Sequence, residues 1–337
     1  MTNAARISRP LPGSPPAVTV VELTDPTTAG KSFEVVDQDL VQLGSQRLRA
    51  RRVTVHLDGA VVVFHRTNLR VRARTMVNPE LVTYGAWGAR TTGSVNGVPI
   101  RSGTMLAVQG GTEVVVVADP GYESVFVLLA PGEIEAHLRG RQREGTLRLP
   151  HGAETLQRDV ASVRRFYEWG KHLIDTAVRH PAVFNDRKET RTAAQVEVLE
   201  MLVGAFGAPA DCQPPRSDHT RLSQSRIVKF AEECAMAHVG DRVHVTDLCK
   251  AARVSERSLE YAFKGIMGMT PVAYLTRVRL HGVRQALQAA TRGTTTVSAE
   301  ALKAGFWHFG EFSGAYRDCF GELPSATLRR PAVKGRR

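Results

Sequence analysis

Arg257, Glu260, Tyr261 and Lys264 follow one another at steps of three, one and three residues, a spacing that on a helix gathers them on one face. With Glu256 beside them, they offer a planar cation, carboxylates, a phenol and an ammonium to whatever lies against that helix. Arg257 can hold guanine through two hydrogen bonds, Glu260 can accept from the amino group of cytosine, and Tyr261 can touch a thymine methyl or a phosphate. The plainer reading is a solvated helix face with an Arg257–Tyr261 contact. A second, poorer set is His308, Phe309, Glu311, Ser313 and Arg317, with Gly310 and Gly314 between them. Arg317 is the strong phosphate binder of that group and comes late in its segment, so orientation and shape readout are expected there, more than base specificity. His308 and Trp307 could contact the DNA backbone, although core packing is the commoner role of such a Trp.

Other chemistry is hard to find. A β-rich metal enzyme of the cupin kind needs clustered ligands, typically two His one residue apart with a carboxylate and a later His. Here His56 and His65 are isolated, and His137 and His151 fall outside the strand region. The chain has no Gly-x-Ser-x-Gly, no phosphate-cradling Walker loop and no dinucleotide fingerprint, and GVPIRSG (97–103) reads as a turn. The expectation is a protein without metal, cofactor or catalytic constellation, not an enzyme.

The elements that must position the two sets form a repeat. Ser255, Leu259, Phe263, Gly268 and Pro271 recur 53 residues later as His308, Phe312, Tyr316, Gly321 and Pro324, with Leu248 mapped onto Ala301 and Ala252 onto Gly305. Each copy follows helix-turn-helix logic. Thr246 is the candidate cap of the short helix TDLCKAA, and Ser255 can cap a second helix whose Leu259 and Phe263 face inward. Gly268 ends the unit, and Thr270-Pro271 opens a long helix through about Ala290. Two reading helices on one long helix would enter successive major grooves about 34 Å apart.

The stretch VTDLCKAARVSERSLEYAFKGIMGMTPVAYLTRVRL, followed by GFWHFGEFSGAYRDCFGELPSATLRR, resembles the DNA-binding domain of the AraC/XylS transcription regulators, over roughly residues 223–330. Within that family the layout is similar to the ethanolamine-operon activator branch. The resemblance implies an N-terminal effector or dimerisation domain, often cupin-like, and a C-terminal domain that binds promoter DNA, with Arg257, Glu260 and Tyr261 at base edges, and recruits RNA polymerase. It also marks two departures. Arg253 stands at a turn position often filled by Gly, where a left-handed backbone would be strained, and Glu300 stands where the family usually has an apolar residue.

Charge agrees with a polyanionic partner: the net charge is +12, and residues 221–337 hold 19 Lys and Arg against 10 Asp and Glu. Four cysteines without metal-type or paired spacing fit reduced thiols, and no apolar run reaches a signal peptide or a membrane span, so a cytoplasmic protein is expected. Upstream of the repeat, seven β-rich runs (51–57, 60–66, 69–75, 81–87, 103–109, 112–118 and 123–129) are separated by turn dipeptides such as Asp58-Gly59 and Asn96-Gly97. LRVRART (69–75) alternates as if one face were solvated. Residues 133–142, 153–180 and 189–206 read as helices, the last two as a dimer seam or as packing against the β-rich region. Phe64, Tyr84, Trp87 and Phe126 could line a pocket, although core is the commoner role of strand aromatics.

The expected organisation is α+β: a flexible arm (1–30), a cupin-like β-barrel or sandwich that senses a small-molecule effector (31–142), a helical linker or dimerisation region (150–208), a Pro-rich linker (209–222), and an all-α domain of two helix-turn-helix units joined by a long helix (223–331). The function expected is a sequence-specific, effector-responsive activator. Its competitors are an enzyme carrying a DNA-binding appendage and an architectural DNA binder without sequence preference.

Overall fold

The computed structural model describes residues 16–30, 35–207, 216–237, 243–291 and 293–330. All seven β-rich runs form strands, and five further strands join them among the described residues. In chain order these are β1 (Val18–Leu23), β2 (Val36–Gln42), β3 (Ala50–His56), β4 (Ala60–Thr67), β5 (Val71–Val77), β6 (Val82–Trp87), β7 (Gly93–Val95), β8 (Val98–Pro99), β9 (Thr104–Val108), β10 (Glu113–Ala118), β11 (Tyr122–Leu129) and, after helix α1 (Pro131–Gly140), β12 (Ala153–Gln157). They make two antiparallel sheets, β1-β3-β4-β11-β6-β9-β12 and β2-β5-β10-β7-β8. Of barrel or sandwich, the molecule is a sandwich.

Both faces of the large sheet are covered, which is why AVVVFHR reads as a continuous apolar run rather than an alternating one. One face (Val62, Phe64, Tyr84, Val125) packs under α2 (Val160–Arg179) and α4 (Lys188–Phe206), with the short α3 (Pro181–Asp186) between them. The apolar faces of α2 and α4 are therefore taken up by the sheet. Tyr84 meets Phe206 edge-on at 4.7 Å, so it is core, as are Phe64 and Trp87. The opposite face of the large sheet meets the small one across Val36, Val63, Val71, Leu106 and Val114.

Several boundaries differ from expectation. Residues 18–23, assigned to a flexible arm, pair along β3 from Val18 opposite Val55 to Leu23 opposite Ala50; the Pro-rich flank hid an ordinary β-branched run. Residues 153–157, assigned to a helix, pair with β9, because five residues are too few to separate the two periodicities. Val160, expected on the buried face of that helix, is about half exposed. The second half of the predicted linker 209–222 is helical, since α5 (Arg216–Ala237) starts inside it. The arm's residues 1–15, the interval 208–215 and the terminus 331–337 lie outside the described residues.

The largest correction concerns the alternating strand LRVRART. Its basic face is not solvated. Arg72 is fully buried and Arg74 is three-quarters buried, because the outer face of the small sheet is covered by α5 and the helices that follow.

Candidate nucleic-acid interface

The C-terminal helices are α6 (Val245–Ala252), α7 (Glu256–Ile266), α8 (Pro271–Ala289), α9 (Val297–Lys303), α10 (Phe309–Phe320) and α11 (Pro324–Arg329). Most of the repeat translates directly. Ser255 caps α7 by accepting from the Ser258 N–H, and Thr270 caps α8 with Pro271 in the first turn. Leu259 and Phe263 are buried in the first unit, and Phe312 and Tyr316 in the second. Gly268 and Gly321 end the two reading helices with φ of 73° and 72°. The cap of α6 is His244 instead of Thr246: the His244 N–H donates to the Asp247 carboxylate.

The register of the repeat shifts by one residue in the turn. Left-handed residues sit at Arg253 (φ 54°) and Gly305 (φ 79°), and the closing bonds run from Val254 to the Cys249 carbonyl and from Phe306 to the Ala301 carbonyl. The first helices are thus related by 52 residues and the second by 53. This corrects the pairing of Leu248 with Ala301 and of Ala252 with Gly305: Leu248 corresponds to Glu300, Cys249 to Ala301 and Arg253 to Gly305. Arg253 is left-handed as anticipated, at a steric cost of about 1–2 kcal/mol that Gly305 avoids. Glu300 fills its core-like position by accepting from the Lys303 ammonium at 2.8 Å and from the Thr295 hydroxyl, bonds that hold its carboxyl below the ordinary range.

α7 brings its predicted residues together. Glu256, Arg257, Glu260, Tyr261 and Lys264 are all exposed, Tyr261 by 69%. Glu260 and Lys264 approach only to 3.9 Å, and Arg257 makes no ion pair among the described residues, so its guanidinium is free to meet a ligand. On α10, His308, Phe309, Glu311 and Arg317 are exposed and Ser313 is half-buried. His308 caps that helix with its backbone alone. Trp307, for which core packing was the commoner of two expectations, is 60% exposed in the longer second turn.

What positions the two units was not legible in the local pattern. Arg72 reaches from β5 into the C-terminal half, 2.6 Å from Asp39 and 2.6 Å from the buried Glu232 of α5, whose carboxylate also accepts from the Tyr274 hydroxyl. Burial alone would lower the Arg72 pKa, but Tyr274, Glu232 and Asp39 outweigh it and hold the guanidinium firmly charged. Arg284 of α8 likewise bridges Asp25 (2.7 Å) and Glu322 (2.9 Å). Arg70 donates to the Ile266 carbonyl at the end of α7, and Gln42 donates to the Cys319 carbonyl near the end of α10. One sheet thus grips the C-terminal ends of both reading helices. The Gln42 N–H donates to His281 Nε2 at 3.1 Å, and burial drives the His281 pKa down to about 3, so the acceptor stays neutral.

Among the described residues, no group of three or more His, Cys, Asp or Glu is placed to hold a metal ion, and no helix is long and apolar enough to cross a membrane.

The family model and the sequence relatives fall on the same third of the chain. A family model described as a helix-turn-helix domain matches residues 248–330. The XylDLEGF operon transcriptional activator 2 of Pseudomonas putida is 38% identical over 109 residues, 32% of this chain and 67% of that protein. The XylDLEGF operon transcriptional activator 1 of the same organism is 37% identical over 112 residues, 33% of each chain, so the match spans about a third of that relative's length. A crystal structure of a probable AraC family transcriptional regulator from Rhodopseudomonas palustris shares 37% identity, with 31% of this chain and 98% of that one covered and a TM-score of 0.29.

Proposed function

The chain belongs to the AraC/XylS family of transcription regulators, and on that premise we propose that it binds promoter DNA sequence-specifically and acts as an effector-responsive activator. The observation that carries the proposal is the pairing of an unencumbered reading face on α7 with a second unit of the same build, both fixed to α8. Arg257, Glu260 and Tyr261 are assigned to base edges, Glu256 and Lys264 to their flanks. His308, Phe309, Glu311, Ser313 and Arg317 are assigned to backbone and shape readout in the adjacent groove. The relatives named above are activators of operons, which supports activation. RNA polymerase would then be a further partner and the cytoplasm the place of action. No catalysis by this chain is proposed. The assignment is to the family, not to its ethanolamine-operon branch.

The effector is assigned to the sandwich. Between the sheets lies a cavity of about 120 Å³, walled by apolar side chains such as Val63, Leu106, Val114 and Phe126, a size and lining suited to a small apolar molecule. Strand alternation ties this cavity to the DNA-binding half. On β2, Gln38 and Leu40 face the cavity, while Asp39 and Val41 face the C-terminal helices. On β5, Val71 and Ala73 face the cavity, while Arg72 and Arg74 face α5. A ligand that moves the small sheet therefore moves the residues that hold both units, and biases their arrangement.

The deciding experiment is a footprint of the purified protein on its own fragmented genome at about 150 mM salt, repeated with Arg257→Ala. Sharp sites with a shared motif, weakened by the substitution, are the expected result. Diffuse binding indifferent to the substitution would leave an architectural DNA binder instead.

A further inference from the structure

Alongside the reading face, and sharing Tyr261 and Lys264 with it, α5 and α7 enclose an open groove. Its walls are Thr220, Arg221 and Gln224 of α5 and Tyr261, Lys264 and Gly265 of α7. On each helix the spacing (0, 1, 4 and 0, 3, 4) gathers the three residues on one face. The polar side chains of this lining are two hydroxyls, a guanidinium, an amide and an ammonium, all capable of donating, and none is a carboxylate. The nearest acidic partner of Lys264 is Glu260, 3.9 Å away and one turn back on α7. Arg221 makes no ion pair among the described residues. At Gly265 the Gln224 side chain comes close, its oxygen 2.9 Å from where a Cβ would stand.

The groove is also anchored. Three residues before Arg221, the buried Asp218 accepts two hydrogen bonds from Arg101 of the sandwich, at 2.8 and 3.0 Å. The Asn96-Gly97 turn packs against the Arg221 backbone carbonyl and Ser225: a Cβ on Gly97 would stand 2.6 Å from that oxygen. The backbone that carries Arg221 is therefore held by a second domain, while its side chain lines open space. Held donors with no carboxylate in the lining, and only the loosely approached Glu260 beside Lys264, suit a tetrahedral oxyanion repeated along a polymer.

We propose that this groove receives a phosphate of the DNA strand flanking the bases read by α7, with Arg221 and Lys264 as its two cations. The proposal rests on the DNA-binding reading above and adds a site that fixes register without reading sequence. Arg221→Ala, Arg221→Lys and Lys264→Ala in the full-length protein would be titrated against a footprinted site and an unrelated duplex of equal length, from 50 to 300 mM salt, with melting curves as the folding control. The slope of log affinity against log salt should fall by about 0.9 for each cation removed and be restored in Arg221→Lys. Affinity for both duplexes should fall by the same factor, whereas Arg257→Ala should weaken only the specific site. An unchanged slope in a folded Arg221→Ala protein overturns the groove assignment, and so does a loss confined to the specific duplex. A wild type that fails to prefer its footprinted site sinks the DNA-reading premise itself, so the two failures are distinct.

Discussion

The two helix-turn-helix units share a framework and differ in nearly everything mounted on it. In the first, the turn between the left-handed residue and the cap of the reading helix is Val254 alone; in the second it is Phe306 and Trp307. The first caps its reading helix with the Ser255 hydroxyl, the second with a backbone only. Leu248 is fully buried in the first, and its counterpart Glu300 is a carboxylate held by Lys303 and Thr295. The first presents two cations, two carboxylates and a phenol, the second one carboxylate, an imidazole and a late guanidinium among glycine and aromatic surface. Duplication preserved the buried positions that make two helices cross, and the exposed positions diverged, as expected when one unit reads sequence and the other sets geometry.

That comparison can be broken at its base. If the second unit is as well packed as the first despite Glu300, Phe312→Ala and Phe263→Ala should each cost about 3–5 kcal/mol, measured by urea unfolding followed within each domain. A Phe312→Ala cost below half that of Phe263→Ala would mean that the second unit is loosely held. Next in size is the contrast in reading: Arg257→Ala should lose up to about 3 kcal/mol of specific binding and relax preference at one base position. Glu311→Ala should change specific and nonspecific affinity alike. Equal loss of specificity in both variants would erase the proposed division of labour.

The pH dependence sharpens how the second unit is tied to the sandwich. His281 touches Phe320 on one side and accepts from Gln42 on the other. Burial lowers its pKa to about 3; Asp39 and Asp25 oppose that shift, and Arg284 and Arg277 add to it. A buried neutral imidazole costs stability when the unfolded chain can take the proton. Stability should therefore be full above about pH 6.5 and fall with pH below it, by on the order of 2 kcal/mol between pH 7 and 5 from this residue. His281→Gln, which keeps an acceptor without a proton-binding site, should flatten that part of the curve in unfolding measurements, and an unchanged curve would remove His281 as its source. The smallest effect concerns the turn: Arg253→Gly should stabilise by about 0.5–1 kcal/mol, and Gly305→Ala should destabilise by a similar amount in the same assay.

Part of the interface is legible in the amino-acid sequence alone. Leu259, Phe263, Phe312 and Tyr316 announce themselves by helical spacing and by recurrence, and their exposed neighbours follow by elimination. Trp307 does not, because a large aromatic near a helix start is assigned to the core by type, and only the longer turn exposes it. Arg221 carries no signal: it lies on a helix whose start reads as linker, and its relevance comes from facing Lys264 across a groove.

Local sequence determined which residues form strands and helices and which side of each is apolar, because periodicity, caps and turn residues act over a few positions. The seven β-rich runs and the paired units are of that kind, whereas attention to the left-handed Arg253 came from the family resemblance. Local sequence could not say what covers a polar face. The alternating Arg72 and Arg74 look solvated until α5, about 160 residues further on, brings Glu232 to Arg72. The order of strands, the cavity between two sheets and the grip of one sheet on both reading helices are likewise properties of distant segments meeting. Arg72 can bury its guanidinium because the Glu232 carboxylate arrives with α5, and that arrival is decided by the tertiary fold.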